Sequence, residues 1–477
     1  MANQRISQLL PSEQSSIMLN APRLHRPIST ALGGGFVLKA LWDRLDLSLC
    51  FLRAGWRKNR GIPTWALGFL LVWGLYLNIT GFSIRSLLVH ARRDGLLSHL
   101  TGMAWNRWKK DAVYRFLQSP QRQWRRLLLV LLTEIQRLAP TLLEGPLCLA
   151  VDDSILAHSY AKRNPLLMWL YDASQKRKIQ GMNLVAIVLI LPHGGQLPLA
   201  FRYVDPDSSQ TKYDLVLDML KELQIQLPTA DVTITMDSWY GASLPFLMQL
   251  SEQGFRWVTQ GRRNFCFYRR AVQSKEPRRG RPREWDRCSV DELLSSPDPQ
   301  WIVREDGSRV LDAGRLFLRR KVDGKMTTFP VRVLISRQAD SDSIWILMTS
   351  EVEPPTDWVV DTYGRRWGIE VFFRRIKQTF HAGDCHLRYP AAVTGYTTLI
   401  FVADTLRTLT DHPAEGSTTE KGETGLSIFR TPCECRFRET EEGWELTPVF
   451  TDENTCLKTI QALWPKQVRL SLWDKSV

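Results

Sequence analysis

Acidic residues at the ends of short apolar runs are the groups in this chain best suited to chemistry. Pro146 to Ser154, PLCLAVDDS, reads as a buried strand ending in Asp152 and Asp153. Asp231 to Asp237, DVTITMD, is a second β-rich run, ending in Asp237 and followed by Ser238-Trp239-Tyr240-Gly241. A third acid, Glu370, sits in Tyr363 to Lys377, YGRRWGIEVFFRRIK. Ile369, Phe372, Phe373, Ile376 and Phe380 fall there at helical spacing, so that stripe packs inward, while Glu370, Arg374 and Lys377 share another face. One carboxylate thus stands in a row of cations. A set of carboxylates suits hard divalent cations, and the positive residues around it suit phosphates.

The elements that must position these acids are a pair of strands and a helix. Alternation along a strand puts Asp152 and Asp153 on opposite faces, so only one of them can point at a shared metal. Taken alone, Asp237 would equally serve as the cap of a strand-to-helix turn, and 363–377 would equally read as a solvated, charge-striped helix. Asn183 to Leu191 and Gln196 to Arg202, joined by Pro192-His193-Gly194-Gly195, read as a hairpin beside the first strand. Asp214 to Leu227 is an amphipathic helix, Leu244 to Glu252 a shorter one, and Phe255 to Gln260 a further strand. Arg309 to Ser350 carries β-like runs around a Val322-Asp323-Gly324 turn.

Upstream the pattern is helical. Phe36 to Leu52, Trp65 to Leu77, Ser83 to Leu97, Ala112 to Leu117 and Trp124 to Leu138 are the expected helices, broken at Gly61-Ile62-Pro63, Gly81, Gly102 and Ser119-Pro120. Two or three of them carry Arg92, Arg93, Arg107, Lys109, Lys110 and Arg115, a cationic rim of the kind that seats a helix against phosphates; the same charges also suit a solvated face. Gly61 to Ile84 has no charged residue, but its dense apolar part is about 13 residues, short of the ~20 that span a bilayer, and reads as a buried helix.

The 477 residues suffice for several domains, and a net charge of +14 makes a polyanion the natural partner. Arg262 to Trp285 is the most basic stretch. It interleaves Arg262, Arg263 and later arginines with Phe265, Phe267 and Tyr268, and its Arg279-Gly280-Arg281-Pro282 core fits a narrow A·T minor groove. The eight cysteines form no CxxC pair and no cluster with histidine at zinc spacing; only Cys433 and Cys435 are close. His158, His381 and His386 lack metal-like spacing and read as solvent or packing residues. The N-terminal MANQRISQLLPSEQSS lacks an apolar signal core, so secretion is not expected, and reduced thiols fit a cytoplasmic protein.

The order Tyr363, Arg366, Glu370, Lys377 reproduces Y-(2)-R-(3)-E-(6)-K and resembles the signature of the DDE transposases of bacterial insertion sequences. The resemblance covers most of 83 to 410, densely at three blocks. It implies an α/β fold: an RNase H-like core with a β-rich insertion, preceded by an all-helical DNA-binding domain. It implies Asp153, Asp237 and Glu370 as catalytic residues holding two Mg²⁺ ions, which Mn²⁺ would replace. Asp153 is favoured because the family's first Asp stands directly before Thr or Ser, here Ser154; Asp152 remains the alternative. Tyr363, Arg366 and Lys377 would contact phosphates, with Arg374, Arg262, Arg263, Arg279, Arg281, Lys109 and Lys110 as further DNA contacts. Trp239, Trp301 and Trp345 are candidate counterparts of the aromatic wedge some members insert between bases. The second block, Asp-Ser-Trp-Tyr, departs from the Asp-Arg of several relatives, which leaves the subgroup open.

The organisation expected is a flexible segment over 1–35, a helical DNA-binding domain over 36–145, core over 146–260, a β-rich insertion with its basic loop over 261–354, and core again over 355–410. No role is assigned to 411–477. The activity implied is cleavage of transposon ends and joining of their 3′-OH to target DNA. It would act as a DNA-bound homodimer in the prokaryotic cytoplasm, with no membrane partner. A non-cleaving DNA-binding descendant of a transposase and a structure-selective nuclease on the same fold are the alternatives.

Overall fold

The structure, a computed structural model, describes residues 28–30, 34–57, 61–77, 83–93, 95–158, 161, 163–192, 195–227, 232–271, 283–295, 300–338, 343–411, 433–440 and 443–450. Arg279, Arg281 and most of 1–35 and 411–477 lie outside the described residues. The strands, in chain order, are β1 (Ile28–Thr30), β2 (Leu147–Ala157), β3 (Met168–Asp172), β4 (Arg177–Ile190), β5 (Gln196–Tyr203), β6 (Val232–Met236), β7 (Arg256–Gly261), β8 (Cys266–Arg270), β9 (Trp285–Ser289), β10 (Trp301–Val303), β11 (Arg309–Val322), β12 (Lys325–Arg337), β13 (Ile344–Thr349), β14 (Cys433–Thr440) and β15 (Gly443–Phe450). The chain forms two compact units, one of residues 1–142, 156–181 and 374–477, the other of 143–155 and 182–373.

The first unit is mainly helical. Its helices include Gly34–Arg44, Leu47–Arg53, Thr64–Tyr76, Ile84–Arg93, Gly95–Thr101, Lys110–Leu117, Gln121–Leu138 and Pro390–Asp411. Thr64–Tyr76 is buried on every side from Ala66 to Tyr76, which is why its sequence shows no polar face. No helix among the described residues is long and apolar enough to cross a membrane. The helix expected over Phe36 to Leu52 is two, because Asp46 turns left-handed (φ 45°) and accepts from the Leu49 N–H to start the second. The one expected over Ser83 to Leu97 is likewise two.

Pro390–Asp411 packs against Thr64–Tyr76, Lys110–Leu117 and Gln121–Leu138. Gly395 allows that approach: a Cβ there would lie 2.7 Å from the Trp124 ring. Asp404, fully buried on this helix, accepts from Arg375 and lies 3.7 Å from Arg407 Nε. Tyr76 donates to the Ala403 carbonyl. The two cysteines Cys433 and Cys435 lie on β14, which pairs with β1 and β15.

The second unit is built on a mixed sheet, in which β4 and β2 are followed by β6, β7, β13, β12, β11, β8 and β9; β5 pairs with β4 and β10 with β11. The pairs β2–β6 and β6–β7 are parallel. The parallel strand β6 is buried at all five positions, as its uninterrupted apolar run demands. From β7 outward the pairing is antiparallel, β11 and β12 meeting at the expected Asp323-Gly324 turn, where both residues have positive φ. Val258, Val310, Leu334, Leu347, Val359 and Tyr363 form a core against this half of the sheet.

Candidate functional site

The parallel register of β2 on β6 runs from Leu147 opposite Val232 to Val151 opposite Met236. One position further on, Asp152 and Asp237 are therefore neighbours. The electrostatics agree. Burial pushes the Asp152 carboxyl from its ordinary 3.8 up to about 7, and the negative charge of Asp237 pushes it the same way.

Asp237 is held by its own turn. Its Oδ1 accepts from the Trp239 N–H at 2.9 Å and the Tyr240 N–H at 3.2 Å, and its carbonyl accepts from Gly241 and from the Thr259 hydroxyl. The helix that follows is capped by Ser243, whose hydroxyl accepts from the Phe246 N–H, while Asp237 closes its own turn. Gly241 is required there, since a Cβ would lie 2.5 Å from Thr259 Oγ1 and 2.8 Å from the Gln260 carbonyl.

Glu370 lies in the first turn of helix Trp367–Gln378. The preceding helix ends at Gly364, so the joint falls at Arg365-Arg366, just before the expected Trp367-Gly368. Gly368 brings this helix close to β4: a Cβ there would lie 2.7 Å from Ile190 Cδ1. At the joint, the Arg366 guanidinium bridges two acids, with Nη1 at 3.3 Å from Asp152 Oδ2 and Nη2 at 2.5 Å from Glu370 Oε1. Asp152, Asp237, Arg366 and Glu370 are therefore one electrostatic unit.

Asp153 has different company. Its Oδ2 is 2.7 Å from Lys212 Nζ and its Oδ1 is 3.5 Å from the Tyr240 hydroxyl. The ammonium of Lys212 also sits 4.8 Å over the Trp239 ring, which stacks on Tyr213 at 4.7 Å. Lys212 opens a helix capped by Thr211 and Asp214, and nothing in its sequence surroundings marks it out. Tyr240, fully buried, was legible only as part of the turn.

Tyr363 is buried, and its hydroxyl donates to Gln260 Oε1 at 3.0 Å. Trp345 packs edge-on against it at 6.0 Å. Trp239 and Trp345 are each more than a third exposed, whereas the Trp301 ring is covered by Arg337. Arg374 and Lys377 are exposed on the Glu370 helix. Arg262 and Arg263 are exposed just after β7, Arg263 3.2 Å from Asp291. Lys109 and Lys110 are exposed at the start of helix Lys110–Leu117.

Among the described residues no three His, Cys, Asp or Glu side chains stand close enough to share one ion. Asp152 and Glu370 share a guanidinium instead. The donor chemistry, carboxylate oxygens held near a neighbouring acid, still fits a hard divalent cation.

The second unit is thus a mixed α/β domain in which acids on and just after neighbouring parallel strands are joined by another on a helix. Comparison gives its particular kind: residues 144–406, more than half of the chain, match the family model "Transposase DDE domain", and the chain belongs to that family. It is also 36% identical over 77 residues to "Putative transposase y4zB" of Sinorhizobium fredii (strain NBRC 101917 / NGR234). That match covers 16% of this chain and 21% of the relative.

Proposed function

We propose that this protein is an insertion-sequence transposase that cleaves transposon ends and joins the freed 3′-OH to target DNA. The observation that carries the reading is the bridge from Asp152 through Arg366 to Glu370, with Asp237 beside Asp152, in a chain of the DDE transposase family. An RNase H-like core fits the order β5, β4, β2, β6, β7, in which the first strand of the core lies between the second and the fourth.

Asp152, Asp237 and Glu370 would hold the divalent ions, Asp152 taking the place that the motif gave to Asp153. Bound Mg²⁺ supplies Lewis acidity toward phosphoryl oxygens and lowers the pKa of an attacking water or hydroxyl. Arg366 neutralises Asp152 and Glu370, and it is positioned to exchange a carboxylate for a phosphate oxygen. Asp153 and Lys212 form the adjoining ion pair. Lys109, Lys110, Arg262, Arg263, Arg374 and Lys377 supply phosphate contacts, and the active form is a DNA-bound homodimer.

The test is incubation of the full chain with duplexes taken from the DNA flanking its gene, with Mg²⁺ or Mn²⁺. Nicking at an inverted-repeat boundary followed by joining to a second duplex is expected. Cleavage without joining would reassign the protein as a nuclease, and binding without cleavage as a non-cutting descendant.

A further inference from the structure

The hairpin of β3 and the first residues of β4 is absorbed by none of this. β3 is the outermost strand of its sheet, and its side chains alternate in exposure, with Trp169 70% and Tyr171 63% exposed. Residues two apart on a strand share a face about 7 Å apart, so the two rings stand in a row. Across the hairpin Trp169 pairs with Gln180 and Tyr171 with Lys178. Side by side exposed aromatics on a folded element are uncommon without a partner.

The turn that presents them is built rather than loose. Asp172 Oδ1 accepts from the Ser174 N–H at 2.8 Å, the Ser174 hydroxyl at 2.6 Å and the Gln175 N–H at 3.2 Å. Lys176 takes a left-handed conformation (φ 51°), and Arg177 Nε donates to Gln175 Oε1 at 2.9 Å. The result is a run of three exposed cations around the turn, Lys178 opposite Tyr171 on the ring face, Arg177 opposite Asp172 on the other, and Lys176 between the strands. The one acid of the turn, Asp172, is engaged in holding it.

We propose that this ribbon binds unpaired DNA, Trp169 and Tyr171 stacking on successive bases while Lys176, Arg177 and Lys178 take the phosphates. This rests on DNA being the chain's substrate, and it adds a surface outside the acidic site. Bases in a duplex hide their faces in the stack, so exposed rings of this kind recognise bases that have left it. The ~7 Å repeat of alternate strand positions also approaches the length of one nucleotide in an extended strand. A single strand answers both the rings and the adjacent cations.

The test uses the full chain and a labelled oligonucleotide of about 12 residues, within the span such surfaces cover. W169A/Y171A is expected to weaken binding at least about tenfold, since each lost base stack is worth that order. W169F/Y171F should stay within about threefold of wild type. K176A/R177A/K178A should flatten the salt dependence by roughly two in log–log slope. Bromodeoxyuridine photocrosslinks should map to 169–171. Equal affinity of wild type and W169A/Y171A, or failure of wild type to bind the single strand, overturns the proposal. So does loss of self-association in W169A/Y171A with unchanged oligonucleotide binding, which would give the ribbon to a second protein chain. Nicking of duplex ends is scored separately: wild-type nicking with no effect of W169A/Y171A on oligonucleotide binding removes the ribbon and leaves the transposase reading intact.

Discussion

Lys212 Nζ stands 2.7 Å from Asp153 Oδ2, whereas the neighbouring Asp152 shares its counterion, Arg366, with Glu370 and also feels the charge of Asp237. The two neighbours should therefore respond differently to the same change. Asp152→Asn is expected to lower end cleavage by at least about a hundredfold, the scale of losing an electrostatic group that acts in the transition state. Asp153→Asn should cost less than about tenfold. Single-turnover nicking rates decide, and the reverse order would restore Asp153 as the first catalytic acid.

Asp237→Ala and Glu370→Gln should each abolish cleavage and keep DNA binding, because both remove negative charge from a site that phosphates must approach. Gel-shift affinity equal to or above that of wild type, with nicking below a tenth, is the expected pair of results. Retained nicking in either variant would remove that residue from the site.

Stability should depend on pH through Asp152. Its carboxyl titrates near 7 in the folded chain against an ordinary 3.8, so the folded state holds an extra proton between those values. The folded state is then favoured at low pH, and that advantage is lost as pH rises from about 4 through about 7. In chelator, urea midpoints of wild type should fall relative to Asp152→Asn between pH 5 and pH 8. Parallel curves for the two proteins would show that Asp152 carries no such burden.

Gly241→Ala should destabilise the fold by about 1–3 kcal/mol, because the added methyl meets a backbone carbonyl that cannot rotate away. Denaturant midpoints measure the loss. A variant as stable as wild type would mean that the Asp237 turn yields easily.

Much of this was legible in the residues. The two strands that carry the acids, the hairpin after the first and the Asp323-Gly324 turn follow from periodicity and turn chemistry, which are local, although β2 runs on to Ala157 past its expected end at the two acids. The partners of Asp152 and Asp153 were not, because alternation says that the two diverge but not that Arg366 lies against one and Lys212 against the other. Lys212 was invisible for the same reason: a lone lysine at a helix start acquires meaning only from a strand 59 positions earlier. The ribbon at Trp169 and Tyr171 did carry a signal, alternating Met168 and Leu170 with aromatics before a polar turn, but its exposure inverts the usual rule that large rings go inside.

The buried carboxylate of Asp404 gives the last long helix a significance beyond packing. It is the counterion of Arg375, on the same helix as Glu370, and lies beside Arg407. A shortened gene copy that stopped upstream of codon 404 would lose this buried carboxylate and its ion pairs with Arg375 and Arg407, and such copies should accumulate as insoluble, rapidly degraded products.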